Sequence, residues 1–346
     1  MRRMDDSDPP GSPPDRTFAA LDRAYTQGVE TAAGNEVVEF SLAMARHAVR
    51  IRVMGRTLAD TIIRTWAHLR VPNAEAGAPT LTLDFLDAAR AGPRPQVTAT
   101  RLGEVSPDGR YLSIQRWQSI TAFDRSAGRM ITHVPDGSRV SQQERGRPLF
   151  EALGVWLQDR GVLPVHAGLV AHGGRGLLCG GPGGSGKSST CLRCLEAGFD
   201  FLGEDTVGLE PTPEGFRGYS VFGSVQLAPD ALARFPRLAE ARDPIDPGEE
   251  KHMVMLTDLF SSTMRHDVMI DAIILPRVTG VPSPTLRPAS AGAALRRLAP
   301  STLMRRHDVQ AGLDRLGALT RSVPALWLEL GGEPERVPEF LASLAP

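Results

Sequence analysis

The residues best suited to chemistry lie at 181–188, Gly181-Pro182-Gly183-Gly184-Ser185-Gly186-Lys187-Ser188. Gly181, Gly183, Gly184 and Gly186 let the backbone adopt conformations that a side chain would forbid, so successive N–H groups can turn toward phosphate oxygens. A helix predicted to start at Lys187 adds the positive end of its dipole. In such a loop the lysine, here Lys187, reaches the β- and γ-phosphates, and the hydroxyl of Ser188 ligates magnesium. Ser185 and Ser189 complete the expected nucleotide-binding set. An apolar run precedes the loop and a helical pattern follows it, which is the strand–loop–helix setting the chemistry needs. ATP and Mg2+ are therefore the expected ligands.

Glu204-Asp205 ends the next short strand, 17 and 18 residues past Lys187. Two carboxylates at the carboxyl end of a neighbouring strand stand where ligands bind in an open α/β sheet. They can serve a cation and a proton transfer together, which makes Glu204 and Asp205, with Ser188, the expected metal-side residues. The plain alternative is a solvent-facing acid pair in a turn. His166 sits in the apolar run Val165-His166-Ala167-Gly168-Leu169-Val170, and by itself reads as a packed core histidine.

Positioning these groups requires alternating strands and helices. Val165–Ala171 and Gly176–Gly180 read as strands around the turn His172-Gly173-Gly174-Arg175, followed by the loop and a helix from Lys187 to about Ala197. Phe199 to Leu202, Met269 to Leu275 and Ala325 to Leu330 read as further strands. Helices are predicted over Ala291 to Leu298, Met304 to Leu319 and Glu335 to Leu344. The expected organisation is an α/β phosphate-loop domain over 162–346, preceded by a smaller α+β region over 17–161 and a disordered tail over 1–16. In the α+β region, Val49 to Met54, Leu81 to Phe85 and Tyr111 to Phe123 alternate as strands. Leu58, Ile62, Ile63, Trp66 and Leu69 recur at helical spacing behind Thr57 as cap, and Leu149 to Gly161 reads as a further helix. No catalytic constellation precedes that last helix, so this region is read as scaffold or as a substrate-docking surface using a free strand edge.

His166-Ala167-Gly168, the loop at 181–188 and Glu204-Asp205, in that order, resemble the catalytic half of HPr kinase/phosphorylase. The resemblance is local, covering roughly residues 162 to 210. It implies a fold similar to phosphoenolpyruvate carboxykinase, with the phosphate loop in a mixed sheet, and transfer of the γ-phosphate of ATP to a serine hydroxyl of a protein or peptide. Carried over, Asp205 matches the aspartate that accepts the serine proton, Glu204 the acid near the metal, and His166 the histidine facing them. That family normally has two aspartates where this chain has Glu204-Asp205. Its glycine-rich signature is also missing: residues 217–235 are similar instead to divergent HPr-kinase-like proteins, some of which modify ribosomally made peptides, including lasso-peptide precursors, on serine. HPr itself is therefore not the expected acceptor. True HPr kinases form hexamers, and a homo-oligomer is left as an open expectation.

Cys191-Leu192-Arg193-Cys194 has CxxC spacing but lies within the helix after the loop with no second ligand pair, so both cysteines read as small helix residues. Lys251 could bring positive charge to a transferring phosphoryl group, or be a surface loop lysine. Two rival functions stay open: a small-molecule hydroxyl kinase, and a regulatory nucleotide-binding module without phosphotransfer. A net charge of -1 gives no field for nucleic acid or an acidic membrane surface. The amino terminus lacks a signal-like apolar core, and no window approaches the ~18 apolar residues of a membrane span. Three cysteines cannot staple a chain of 346 residues. A soluble cytoplasmic protein is expected.

Overall fold

The computed structural model describes residues 12–31, 37–73, 77–90, 103–116, 118–303 and 309–344. Two compact units emerge, residues 1–63 with 70–156, and residues 64–69 with 157–346.

The first unit comprises α1 (Pro13–Thr31), β1 (Val37–Met44), β2 (His47–Met54), α2 (Arg56–Ile63), β3 (Arg70–Val71), β4 (Leu81–Asp87), β5 (Glu104–Val105), β6 (Tyr111–Arg116), β7 (Ser119–Asp124), β8 (Arg129–Val134), α3 (Gln142–Gly146) and α4 (Phe150–Asp159), the last of which crosses the unit boundary. The strands form one sheet in the order β3-β1-β2-β4-β8-β7-β6-β5. Its centre, β2–β4–β8, is parallel and its flanks are antiparallel. Helix α1 opens inside the stretch read as a tail. Pro13 and Pro14 occupy its first turn, where a missing N–H costs nothing. Leu21 and Tyr25 anchor it on Met54, Leu86, Ala122 and Ile131. Residues 1–11 lie outside the described residues. Strand β2 is paired on both sides, as is β7, and β6 meets β5 at Leu112 and Ser113.

The helical spacing over Leu58 to Leu69 serves two bodies. Helix α2 stops at Ile63, with Thr57 inside it rather than capping it, and Arg64–Leu69 continues as a 3₁₀ turn that belongs to the second unit. There the Trp66 indole donates to the Val221 carbonyl at 3.1 Å and stacks on Phe222. The Gly223 N–H donates to the Thr65 carbonyl at 2.8 Å.

The rest of the second unit runs β9 (Leu163–Val165), β10 (Ala167–His172), β11 (Arg175–Gly180), α5 (Lys187–Glu196), β12 (Asp200–Gly203), β13 (Val207–Thr212), β14 (Gly215–Ser220), β15 (Ser224–Leu227), α6 (Pro229–Leu232), α7 (Pro236–Glu240), β16 (His252–Met255), α8 (Leu256–Phe260), β17 (Asp267–Val281), β18 (Thr285–Ala289), α9 (Ala291–Leu303), α10 (Val309–Ser322), β19 (Ala325–Gly331) and α11 (Val337–Ala342). A mixed sheet runs β12-β10-β11-β17-β14-β13-β9, with β19 beside β17 and β18 beside β19. Neighbours β11, β17 and β19 are parallel; β10 and β11 form an antiparallel hairpin. The molecule is thus mixed α/β, with two large mixed sheets. Helix α9 continues through Pro300 to Leu303, beyond the expected end at Leu298, while residues 304–308, expected to start the next helix, lie outside the described residues.

Two cores cover the sheet. On one side α5 and α11 bury Cys191, Cys194, Leu195 and Leu341 against Leu177, Cys179 and Leu328. On the other, α9 and α10 bury Leu298, Leu316 and Leu319 against Leu169, Leu178 and Ile273.

Candidate active site

Strand β11 feeds the glycine-rich loop directly into α5. Gly186 caps that helix at φ +98°, a left-handed conformation, and a Cβ there would collide with the Leu330 side chain from β19. Only glycine meets both demands. Lys187, at the first position of α5, is thereby turned inward and nearly enclosed.

The partners of Lys187 come from an interruption in the sheet. Strand β9 pairs with β13 (Val165 opposite Val207) and β10 with β12 (Leu169 opposite Gly203), the latter pairing shifting register between Leu169 and Val170. Between those points the ladder is broken, and His166 lies across from the Glu204–Thr206 bend. Backbone groups released by the break are taken up by the site. The Glu204 carbonyl accepts from Lys187 Nζ at 3.2 Å, and the His166 N–H donates to Thr302 Oγ1 at 3.2 Å. Gly168 lets α5 come this close, since a Cβ at that position would collide with Cys191 Sγ.

Five side chains meet here. Lys187 Nζ stands 3.5 Å from Glu204 Oε1, 3.9 Å from Asp205 Oδ1 and 3.5 Å from His166 Nε2. The Ser188 hydroxyl donates to Glu204 Oε1. His166 Nδ1 lies 3.0 Å from Asp205 Oδ1. A Nδ1–H tautomer satisfies both histidine contacts, donating to Asp205 while Nε2 accepts from the ammonium. Exposure divides the group: Lys187 and Glu204 side chains are 6% and 4% exposed, whereas His166 and Asp205 are 30% and 33%. The first pair forms the floor, and the second faces the opening.

A hydroxyl and a carboxylate side by side are hard oxygen donors, the kind magnesium takes. Among the described residues no group of three or more His, Cys, Asp and Glu converges to hold a metal. Ser188 and Glu204 would hold magnesium, with Asp205 next to them. The Ser185 hydroxyl is buried inside the loop without a hydrogen-bond partner.

Cys191 and Cys194 are both fully buried in the core beneath α5. Contact with Cys179 and burial push the Cys191 thiol up, and burial does the same to Cys194. Lys251 is exposed just ahead of β16. Sequence reasoning missed Thr302, which fixes the His166 backbone from α9, and Pro276 and Leu330, which back the loop. Thr302 carries no sequence signal. A proline inside the apolar run of β17 does, because it marks a backbone position without a ladder donor.

No family model matches the chain, and no curated protein matches it. Among solved structures, the HPr(Ser) kinase/phosphatase from Coxiella burnetii is similar over 52% of this chain and 92% of its own, at 14% identity and a TM-score of 0.28. A likeness that slight carries no argument about activity. Among the described residues no helix is long and apolar enough to cross a membrane.

Proposed function

We propose that the chain is a magnesium- and ATP-dependent kinase that transfers the γ-phosphate to a serine hydroxyl of a protein or peptide other than HPr. The carrying observation is the convergence of Lys187, Glu204 and the His166–Asp205 pair at the mouth of a glycine-rich loop. The loop amides and Lys187 hold the β- and γ-phosphates. Bound magnesium would neutralise charge on those phosphates, with Ser188 and Glu204 as its protein oxygens. Asp205, partly exposed and oriented by His166, accepts the serine proton as the new O–P bond forms and the bond to the ADP oxygen breaks. Positioning and charge stabilisation supply most of the rate, because little covalent work falls to the protein. The serine specificity rests on the likeness of His166-Ala167-Gly168, the loop and Glu204-Asp205 to the HPr kinase motifs.

The deciding experiment is Lys187→Ala assayed with labelled ATP. Removing a buried cation leaves Glu204 uncompensated, at a cost of about 3–5 kcal/mol, so the variant is first checked for a cooperative melt. A folded variant that has lost ATP use supports the assignment. Wild-type turnover in it refutes the phosphate loop.

A further inference from the structure

A hollow of ≈ 520 Å³, its opening to solvent included, lies within the first unit, and every residue lining it belongs to that unit. Its walls are largely apolar. Leu58 and Ile62 come from α2, Phe85 from β4 and Ile114 from β6, with Leu149 just ahead of α4 and Ala152 within it. The size falls in the range of small-molecule sites.

Two threonines interrupt that lining. Side chains alternate along β7 and β8, so Ala122 and Ile131 turn toward α1 while Thr121 and Thr132 turn the other way, into the hollow. These two are cross-strand partners, 7% and 2% exposed, and their hydroxyls bond to each other at 3.0 Å. Two hydroxyls carry two protons, and the bond between them uses one. Among the described residues neither hydroxyl has a further partner. A buried donor left unspent is costly, and valine at both positions would close a core without that cost. The spare proton therefore marks an acceptor that comes from outside the chain. The wall is also strained: Leu149 sits at φ +56°, a left-handed conformation that a bulky apolar residue rarely adopts. Such strain gathers at ligand clamps.

The mouth is already balanced in charge. The Arg116 guanidinium pairs with Glu151 and lies over the Phe150 ring. Arg147 donates to Gln143 Oε1 at 3.1 Å and lies over the same ring. Glu144 accepts from the Ser119 and Ser141 hydroxyls, and burial pushes its carboxyl up. An ionic ligand would have to break into these contacts, whereas a neutral one leaves them intact.

We propose that this hollow binds a small uncharged apolar molecule bearing one hydrogen-bond acceptor, a ketone or ester carbonyl, held by the spare hydroxyl proton of the Thr121–Thr132 pair. The apolar walls supply the affinity and the hydroxyl fixes the orientation. The inference concerns the first unit alone and does not rest on the kinase reading.

The test titrates the full chain, methyl-labelled at isoleucine, leucine and valine, with cyclohexanone, with its hydrocarbon counterpart methylenecyclohexane, and with cyclohexanecarboxylate. Cyclohexanone should shift the Ile62 and Ile114 methyl signals to saturation and raise the melting temperature. Cyclohexanecarboxylate should bind at least ~10-fold more weakly. The double variant Thr121→Val, Thr132→Val should bind cyclohexanone about 10-fold more weakly, and methylenecyclohexane no more weakly than wild type does. Ala152→Leu, which grows into the hollow from α4, should abolish the shifts in a protein that still melts cooperatively. The wild-type methyl shifts locate the ligand whatever the variants do. No saturable shift at Ile62 and Ile114 leaves the hollow to water and overturns the site. Carboxylate binding as tight as that of the ketone overturns the preference for a neutral ligand. Unchanged cyclohexanone affinity in the double variant overturns the role of the hydroxyls.

Discussion

Glu204 and Asp205 are chain neighbours with opposite surroundings, and that difference is the ground for the separate roles proposed for them. Glu204 is enclosed with the Lys187 ammonium and the Ser188 hydroxyl. Asp205 faces the opening and is held by His166 at 3.0 Å, so it can meet an incoming hydroxyl. Asp205→Asn keeps the shape and the histidine contact but cannot take a proton. Its ADP affinity should stay within a few-fold of wild type while phosphotransfer falls by roughly 10²-fold, the scale for losing a general base. Titration and a kinase assay on one preparation check this. Full transfer by Asp205→Asn together with its loss in Glu204→Gln would reverse the two assignments.

Among the elements, those around the site were legible because each carries local punctuation. Gly173-Gly174 turns the β10–β11 hairpin, the loop glycines end β11, and Gly198 closes α5 at φ +87°. Helix α1 was missed because two prolines mask a helix start, and its apolar stripe gains meaning only against a sheet. The 64–69 turn holds a testable consequence. His68 Nε2 sits 2.7 Å from Ser220 Oγ, and burial, with His266 nearby, pushes its pKa down to about 3 from 6.5. The native state then refuses a proton that the unfolded chain accepts. The related stability is complete above pH 6.5 and drains as pH falls toward 3. The residue keeps some exposure, so the loss is put at roughly 2–4 kcal/mol rather than the full value of the shift. Urea midpoints of wild type should fall over that window, and those of His68→Gln should fall less. Parallel curves would show that His68 is protonated in the folded protein.

At the scale of the whole molecule, chain order and compact units disagree, because residues 64–69 are part of the second unit. A fragment starting at Glu144 therefore lacks Trp66, its stack on Phe222 and the backbone bond from Gly223. Losing a fully buried tryptophan costs on the order of 3–5 kcal/mol, a large share of a domain's stability. The fragment should melt without a cooperative transition, read by circular dichroism. A sharp melt near that of the full chain would make the 64–69 contacts dispensable. The sequence by itself determined the glycine-rich loop, the helix behind it and the placing of the two acids at a strand end, because glycine freedom, helix starts and strand ends are encoded within a few residues. Tertiary structure decided what needed distant partners. It broke the β9–β10 ladder opposite β12–β13 and so set His166 against Asp205. It brought Thr302 to the His166 backbone and sent residues 64–69 into the second unit. None of these could be read from local pattern, since each depends on which strand lies beside which, and pairing is fixed by burial across the whole sheet rather than by neighbours in the chain.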